Sequence, residues 1–201
     1  MDHHEINTEK RHLSRLPWSP FVAGAVTAIS DPTNVSLVLE LMPHGCFHHL
    51  IDQFGPFNQI DACFYYCNIV CAIGFIHSQG LASRDIKPAN FLVGHDGYLV
   101  MTDLGIAERV GKGGSWLDMG TAQYMAPELI QQGYPTGRAV DWWASGVMLY
   151  EMLTQKLVRP TITHSFHTRY CCCLSGGLPN VYVFVYSHSR GAAISRYSTI
   201  S

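Results

Sequence analysis

The sequence predicts an α+β fold in two unequal parts, a small strand-bearing part followed by a mainly helical one. Three observations carry this. Short apolar runs bounded by turn residues pair off as hairpins, once between Phe21 and Leu41 and again between Phe91 and Met101. Two long apolar helix patterns follow the first hairpin, one from Gln59 to Ser78 and one opening at Asp141. Between those helices lies a stretch rich in Asp, Lys, Asn and Gly.

Each element has its own local reason. Residues 5–16 carry helix-favouring charges and stop at Leu16-Pro17, so they read as the C-terminal part of a helix. Phe21 to Ile29 and Val35 to Leu41 read as two strands about the turn Asp31-Pro32-Thr33-Asn34. Pro43-His44-Gly45 breaks the chain, and Cys46 to Gln53 reads as a short helix. Asn58, with Asp61 three residues later, is a helix start. The helix that follows is apolar nearly all round, which predicts burial, and Gly80 stops it. Its Cys63, Cys67 and Cys71 read as small buried hydrophobes rather than metal ligands. Phe91 to Val93 and Tyr98 to Met101 flank the turn His95-Asp96-Gly97. Gly111 to Ser115 reads as a loop.

Composition narrows the class. The chain has 201 residues, enough for one substantial core, and a net charge of −2 gives no reason to expect a nucleic-acid partner. The N-terminus, Met1 to Arg11, is polar and charged rather than a signal peptide. No apolar run is expected to span a bilayer. Seven cysteines in no disulfide-like arrangement point to a reducing compartment, cytoplasm or nucleus. From Met152 to Ser201 there is no acidic residue and no helical period, so residues 158–201 read as a tail distinct from residues 1–157. His3-His4 and His48-His49 read as solvated surface, and Cys171 to Cys173 carry no assigned site.

The polar stretch has a chemical logic. Asp85 in a tight loop can orient a hydroxyl or take its proton. Lys87, two residues on, can reach a transferred phosphate. Asn90 offers a neutral oxygen and Asp103 a hard carboxylate, the donor types that suit Mg²⁺. Gly105 lets the chain turn sharply. Phosphoryl transfer needs this kind of positioning and charge cancellation more than covalent chemistry.

Residue by residue, the stretch resembles the eukaryotic protein kinases. Arg84-Asp85 with Asn90 matches their catalytic loop. Asp103-Leu104-Gly105 matches the metal-binding turn with Leu for Phe, and Ala126-Pro127-Glu128 the motif that closes the activation segment. Gly120 to Met125 resembles the substrate-docking loop of the Ser/Thr kinases. Asp141-Trp142-Trp143 resembles the helix start of the AGC group, which contains the cyclic-nucleotide-dependent kinases. The resemblance covers residues 5–157.

It implies a bilobal kinase fold in truncated form: part of the small lobe and the first part of the helical large lobe. Its implied activity transfers the γ-phosphate of ATP, with Mg²⁺, to a Ser or Thr hydroxyl of a protein substrate. Asp85, Lys87 and Thr121 would be catalytic. Asn90 and Asp103 would be metal ligands. Leu39, Glu40, Met42 and Leu92 would line the nucleotide pocket. Asp141 would brace the catalytic loop through its backbone.

Departures from the family pattern set further expectations. The glycine-rich phosphate loop and the ATP-binding lysine are not in the sequence, so Glu9, the family's lysine partner, is expected to be a solvated charge. Ser83 replaces a large group beneath the metal turn, and Cys46 an acidic residue near the ribose. Leu117 stands at the usual phosphorylated position, with Asp118 a possible fixed charge for Arg84. Glu128 is expected half-buried without its usual Arg. Two alternatives to an active kinase remain: a non-catalytic kinase-like interaction protein, and a truncated gene product with residues 158–201 non-native.

Overall fold

The computed structural model describes residues 3–30, 35–110, 120–130 and 137–157. The predicted loop at Gly111–Ser115, Asp118 and the whole tail from 158 lie outside them.

Helix α1 (His3–Leu13) is shorter than the charge pattern suggested. Ser14 to Leu16 continue as a turn, with Leu16 N–H on His12 O at 3.0 Å. Pro17 disfavours helical backbone at Leu16 and so ends the helix early.

The apolar run from Phe21 to Ile29 is two elements rather than one strand. Phe21 and Ala23 exchange backbone bonds with Met101, at 2.8 and 2.9 Å, far along the chain. After Gly24, strand β1 (Ala25–Ser30) pairs antiparallel with β2 (Val35–Leu39), with a register shift between Ala25 and Thr27. A Cβ on Gly24 would sit 3.1 Å from the Glu40 carboxylate, so the small residue fits where the two segments part. Val26, Ile29 and Val38 leave an apolar face of this hairpin exposed.

The helical part follows. Helix α2 (Phe47–Phe54) buries Phe47 and Ile51. Helix α3 (Gln59–Ser78) is capped as the sequence predicts. Asn58 Oδ1 accepts from the N–H groups of Ile60 and Asp61 at 2.9 and 3.0 Å, and its Nδ2 donates to Asp61 Oδ2 at 2.6 Å. Gly80 turns the chain at φ +78°, a backbone open to glycine at little cost. The two-residue strand β3 (Leu81–Ala82) then leads into the polar stretch.

Hairpin β4 (Phe91–Val93) and β5 (Leu99–Met101) turns at Gly97, φ +82°, with Asp96 Oδ1 accepting from Tyr98 N–H. Strand β6 (Glu108–Arg109) pairs with β3. The short helix α4 (Pro127–Ile130) precedes α5 (Ala139–Thr154). The core gathers Phe47, Ile69, Ile73, Ile76, Phe91, Leu99, Met101, Leu104, Met148 and Met152. It therefore joins α2, α3, α5 and the β4–β5 hairpin beneath the polar stretch.

Two expectations for α3 are overturned. Only one side of it is buried, through Ala62, Ile69, Ala72, Ile73 and Ile76; Cys63, Cys67 and Cys71 are exposed on the other. An i, i+4, i+8 repeat keeps them on a single side, and that side is not the one facing α5 and β5. Helix α3 is also long and apolar enough to cross a bilayer, with mean hydropathy 1.4. Its packing against α5 and β5 is that of a core helix.

Replacing Asn58 by Ala leaves two N–H groups at the start of α3 without their side-chain acceptor. The expected loss is about 1 kcal/mol. A lower urea midpoint with unchanged denaturant slope confirms it, and an unchanged midpoint refutes the cap.

Candidate active site

The polar stretch is shaped by one buried carboxylate. Asp141, in the first turn of α5, is 1 % exposed. Its Oδ1 accepts from the Arg84 N–H at 2.8 Å, and its Oδ2 from the Ser83 N–H at 2.9 Å. His77 Nε2, from the end of α3, lies 2.7 Å from the same Oδ2. A buried carboxylate demands such donors, and three groups from two chain segments supply them. Arg84 is thereby held at φ +67°, left-handed backbone that is costly for a residue with a side chain. The turn at Arg84 aims the next residue, Asp85.

Asp85 is the hub of a compact polar group. Lys87 Nζ donates to its Oδ2 at 2.6 Å, and Asn90 Nδ2 to the same oxygen at 2.9 Å. The Thr121 hydroxyl donates to Oδ1 at 2.8 Å, joined by the Thr121 N–H at 3.1 Å. Lys87 Nζ also reaches Thr121 Oγ1 at 2.8 Å, closing a triangle. Asn90 Nδ2 further donates to Asp85 O at 2.8 Å, which folds the loop back on itself. The turn at Pro88–Asn90 supplies the curvature, with Pro88 at its first position.

Asp103 adjoins this group through the backbone. Thr102 N–H donates to Asn90 O at 2.8 Å, so the residue before Asp103 is tied to the predicted metal-ligand asparagine. Asp103 takes left-handed backbone, φ +61°, and its Oδ1 accepts from Gly105 N–H at 3.1 Å. Leu104 is fully buried, so the Leu-for-Phe exchange retains an apolar anchor here. Ser83 is also buried and keeps its N–H on Asp141.

The four predicted nucleotide-pocket residues fall in two places. Leu39 pairs with Ala25, and Glu40 folds back on Gly24, its N–H on Gly24 O at 3.1 Å and its Oε2 accepting from Gly24 N–H at 3.3 Å. Met42 and Leu92 lie at the second hairpin. Met42 Sδ is 3.9 Å from where a Cβ on Gly94 would stand, and Leu92 pairs with Val100 and bridges to Cys46. Leu92 follows Asn90 by two residues and so borders the Asp85 group.

Glu9 is not the solvated charge expected of it. It is 5 % exposed. Burial raises its pKa, the nearby Asp103 charge raises it further, and the Leu104 N–H partly opposes both. The expectation rested on the missing lysine partner, but the packing of α1 beside Asp103 and Leu104 places this carboxylate inside. Glu128 is half-buried.

Three further residues belong to the site, of which His77 and Glu108 had no clear sequence signal. His77 shares Asp141 with the loop. Gly120, φ +114°, lies where a Cβ would come 2.8 Å from Arg84 O, so only glycine lets Thr121 approach Asp85. Glu108 Oε2 accepts from Arg84 Nη1 at 2.7 Å.

The sequence has counterparts among known proteins. Residues 1–173 match the protein kinase domain family, and the chain belongs to that family. Over 150 residues it is 35 % identical to the human cAMP-dependent protein kinase catalytic subunit PRKX, a match covering 74 % of this chain and 41 % of the relative. It is 40 % identical to the human putative serine/threonine-protein kinase PRKY, covering 74 % of this chain and 53 % of the relative. It is 39 % identical to a cAMP-dependent protein kinase catalytic subunit of Dictyostelium discoideum, with 74 % and 22 % covered. The chain thus spans at most about half of the length of these relatives.

Glu9 gives a pH test. A carboxyl whose pKa is raised by folding adds stability below its ordinary value of 4.5, lost as pH rises through the raised value. Glu9→Gln is therefore expected to stabilise the chain at pH 7, seen as a rise in Tm. The gain should vanish well below pH 4.5. A lower Tm for the variant at pH 7 contradicts the reading.

Proposed function

We propose that this chain carries the phosphotransfer site of a Ser/Thr protein kinase. Its substrates would be ATP and a protein Ser or Thr hydroxyl. The observation that carries the proposal is the closed triangle of Asp85, Lys87 and Thr121, with contacts of 2.6 to 2.8 Å.

Asp85 is the proton acceptor for the incoming hydroxyl. Both of its oxygens already receive donors, which fixes the carboxylate's orientation before any substrate arrives. Lys87 sits beside it with a positive charge that can meet a transferring phosphoryl oxygen. Thr121 holds the two together and belongs to the loop that would receive the peptide. Its bond to both residues favours a Ser/Thr acceptor.

The donor set fits Mg²⁺. Asn90 spends its Nδ2 on Asp85, which leaves Oδ1 with no hydrogen bond among the described residues. Asp103 adds a carboxylate on the adjoining turn. No cluster of three or more His, Cys, Asp or Glu exists among the described residues. A cation here would thus be held by Asn90 and Asp103 with phosphate oxygens completing its shell, as suits a hard ion. Bound Mg²⁺ supplies charge neutralisation for the phosphates. Leu39, Glu40, Met42 and Leu92 are the proposed nucleotide contacts. The four cysteines among the described residues are free thiols, which favours a cytoplasmic or nuclear setting.

The test is phosphotransfer from labelled ATP to a Ser/Thr peptide mixture, with Asp85→Asn as control. The proposal expects transfer that the substitution lowers by on the order of a hundredfold or more, with the melting curve little changed. Transfer that survives Asp85→Asn contradicts the assignment. Absence of transfer by the unaltered chain, with MgATP bound, would favour a binding role.

A further inference from the structure

Arg84 precedes the catalytic carboxylate, and its side chain is buried. The side chain is 5 % exposed. Burial works against the charged form, lowering its pKa, while Glu108 and Asp141 oppose the shift. A buried guanidinium demands a fixed counter-charge and oriented acceptors, and it moves if they are withdrawn.

Two of those acceptors come from one short segment after the metal turn. Arg84 Nε donates to Ile106 O at 3.0 Å, and Nη1 to Glu108 Oε2 at 2.7 Å. Glu108 is itself held on β6, whose pairing with β3 sets Ala82 opposite Glu108. Ala82 and Arg84 are two residues apart on one strand and its exit. The carboxylate is therefore built into the same small sheet that delivers the loop. Its side chain is 30 % exposed, so its other face still meets water and its desolvation cost is modest.

We propose that Glu108 is a positioning residue for phosphotransfer. It anchors the Arg84 guanidinium and, through Arg84, fixes the left-handed turn that presents Asp85. This rests on the reading of Asp85 as the proton acceptor. Asp141 holds the backbone of the turn, and Glu108 holds its side chain. Both carboxylates are permanent parts of the fold. The loop is accordingly set without an added phosphate.

The test compares Glu108→Gln, Glu108→Asp and the unaltered chain, each with or without phosphatase treatment. Glu108→Gln is expected to lower kcat by on the order of tenfold or more through misplacement of Asp85, with KM for ATP unchanged. Glu108→Asp should restore most of the loss. Phosphatase should leave the unaltered chain's kcat unchanged. A second readout needs no turnover. The Arg84 Nε–H, followed by nitrogen-15 NMR and assigned with Arg84→Lys, should exchange slowly in the unaltered chain and rapidly in Glu108→Gln. If the chain transfers no phosphate, the function reading fails while the NMR result still decides the anchor. An unchanged kcat in Glu108→Gln, loss of transfer on phosphatase treatment, or equal Nε–H exchange in both chains overturns the proposal.

Discussion

The carboxylate of Asp141 is the constraint on which the rest of the site depends. It is buried at the start of α5, where the macrodipole favours a negative charge. It must find donors there, and it takes them from the loop backbone and from His77. The loop cannot relax without leaving a buried charge under-satisfied, at a cost of several kcal/mol. This offsets the strained φ of Arg84. The two long helices thus work as a frame, and the loop that carries Asp85 is the piece clamped between them.

What the clamp delivers is a preorganised polar group. Asp85, Lys87, Asn90 and Thr121 come from two segments, and Gly120 is the reason the second can approach the first. Their mutual bonds hold the site in shape without ligand. The metal turn is less settled electrostatically. Glu9 and Asp103 place two carboxylates near one another, one of them desolvated.

Much of this was legible in the sequence because it depends on short-range rules. The Asn58 cap, the Gly97 turn and the offsets from Asp85 to Asn90 are local, and they appear as read. The errors arose where tertiary packing overrode local pattern. The Phe21–Ile29 run looked like one strand because nothing in it reveals that Met101 claims its first half. The cysteines of α3 looked core-like because a nearly uniform apolar helix carries little information on which side faces inward. Glu9 was expected to be solvated because its lysine partner is not in the sequence, whereas packing beside Asp103 and Leu104 buries it. Glu108 gave no signal, since its partner lies 24 positions away across β3 and β6.

The central claim is that Asp141 holds the loop before Asp85 by its backbone. Amide hydrogen exchange at Ser83 and Arg84, compared between the unaltered chain and Asp141→Asn, tests it most directly. Ile73 in the core of α3 serves as the internal reference for global stability. The account predicts that Ser83 and Arg84 exchange faster by about tenfold relative to Ile73, the scale of one lost charge-assisted hydrogen bond. Exchange at Ser83 and Arg84 that is unchanged, or that rises only in step with Ile73, would contradict it.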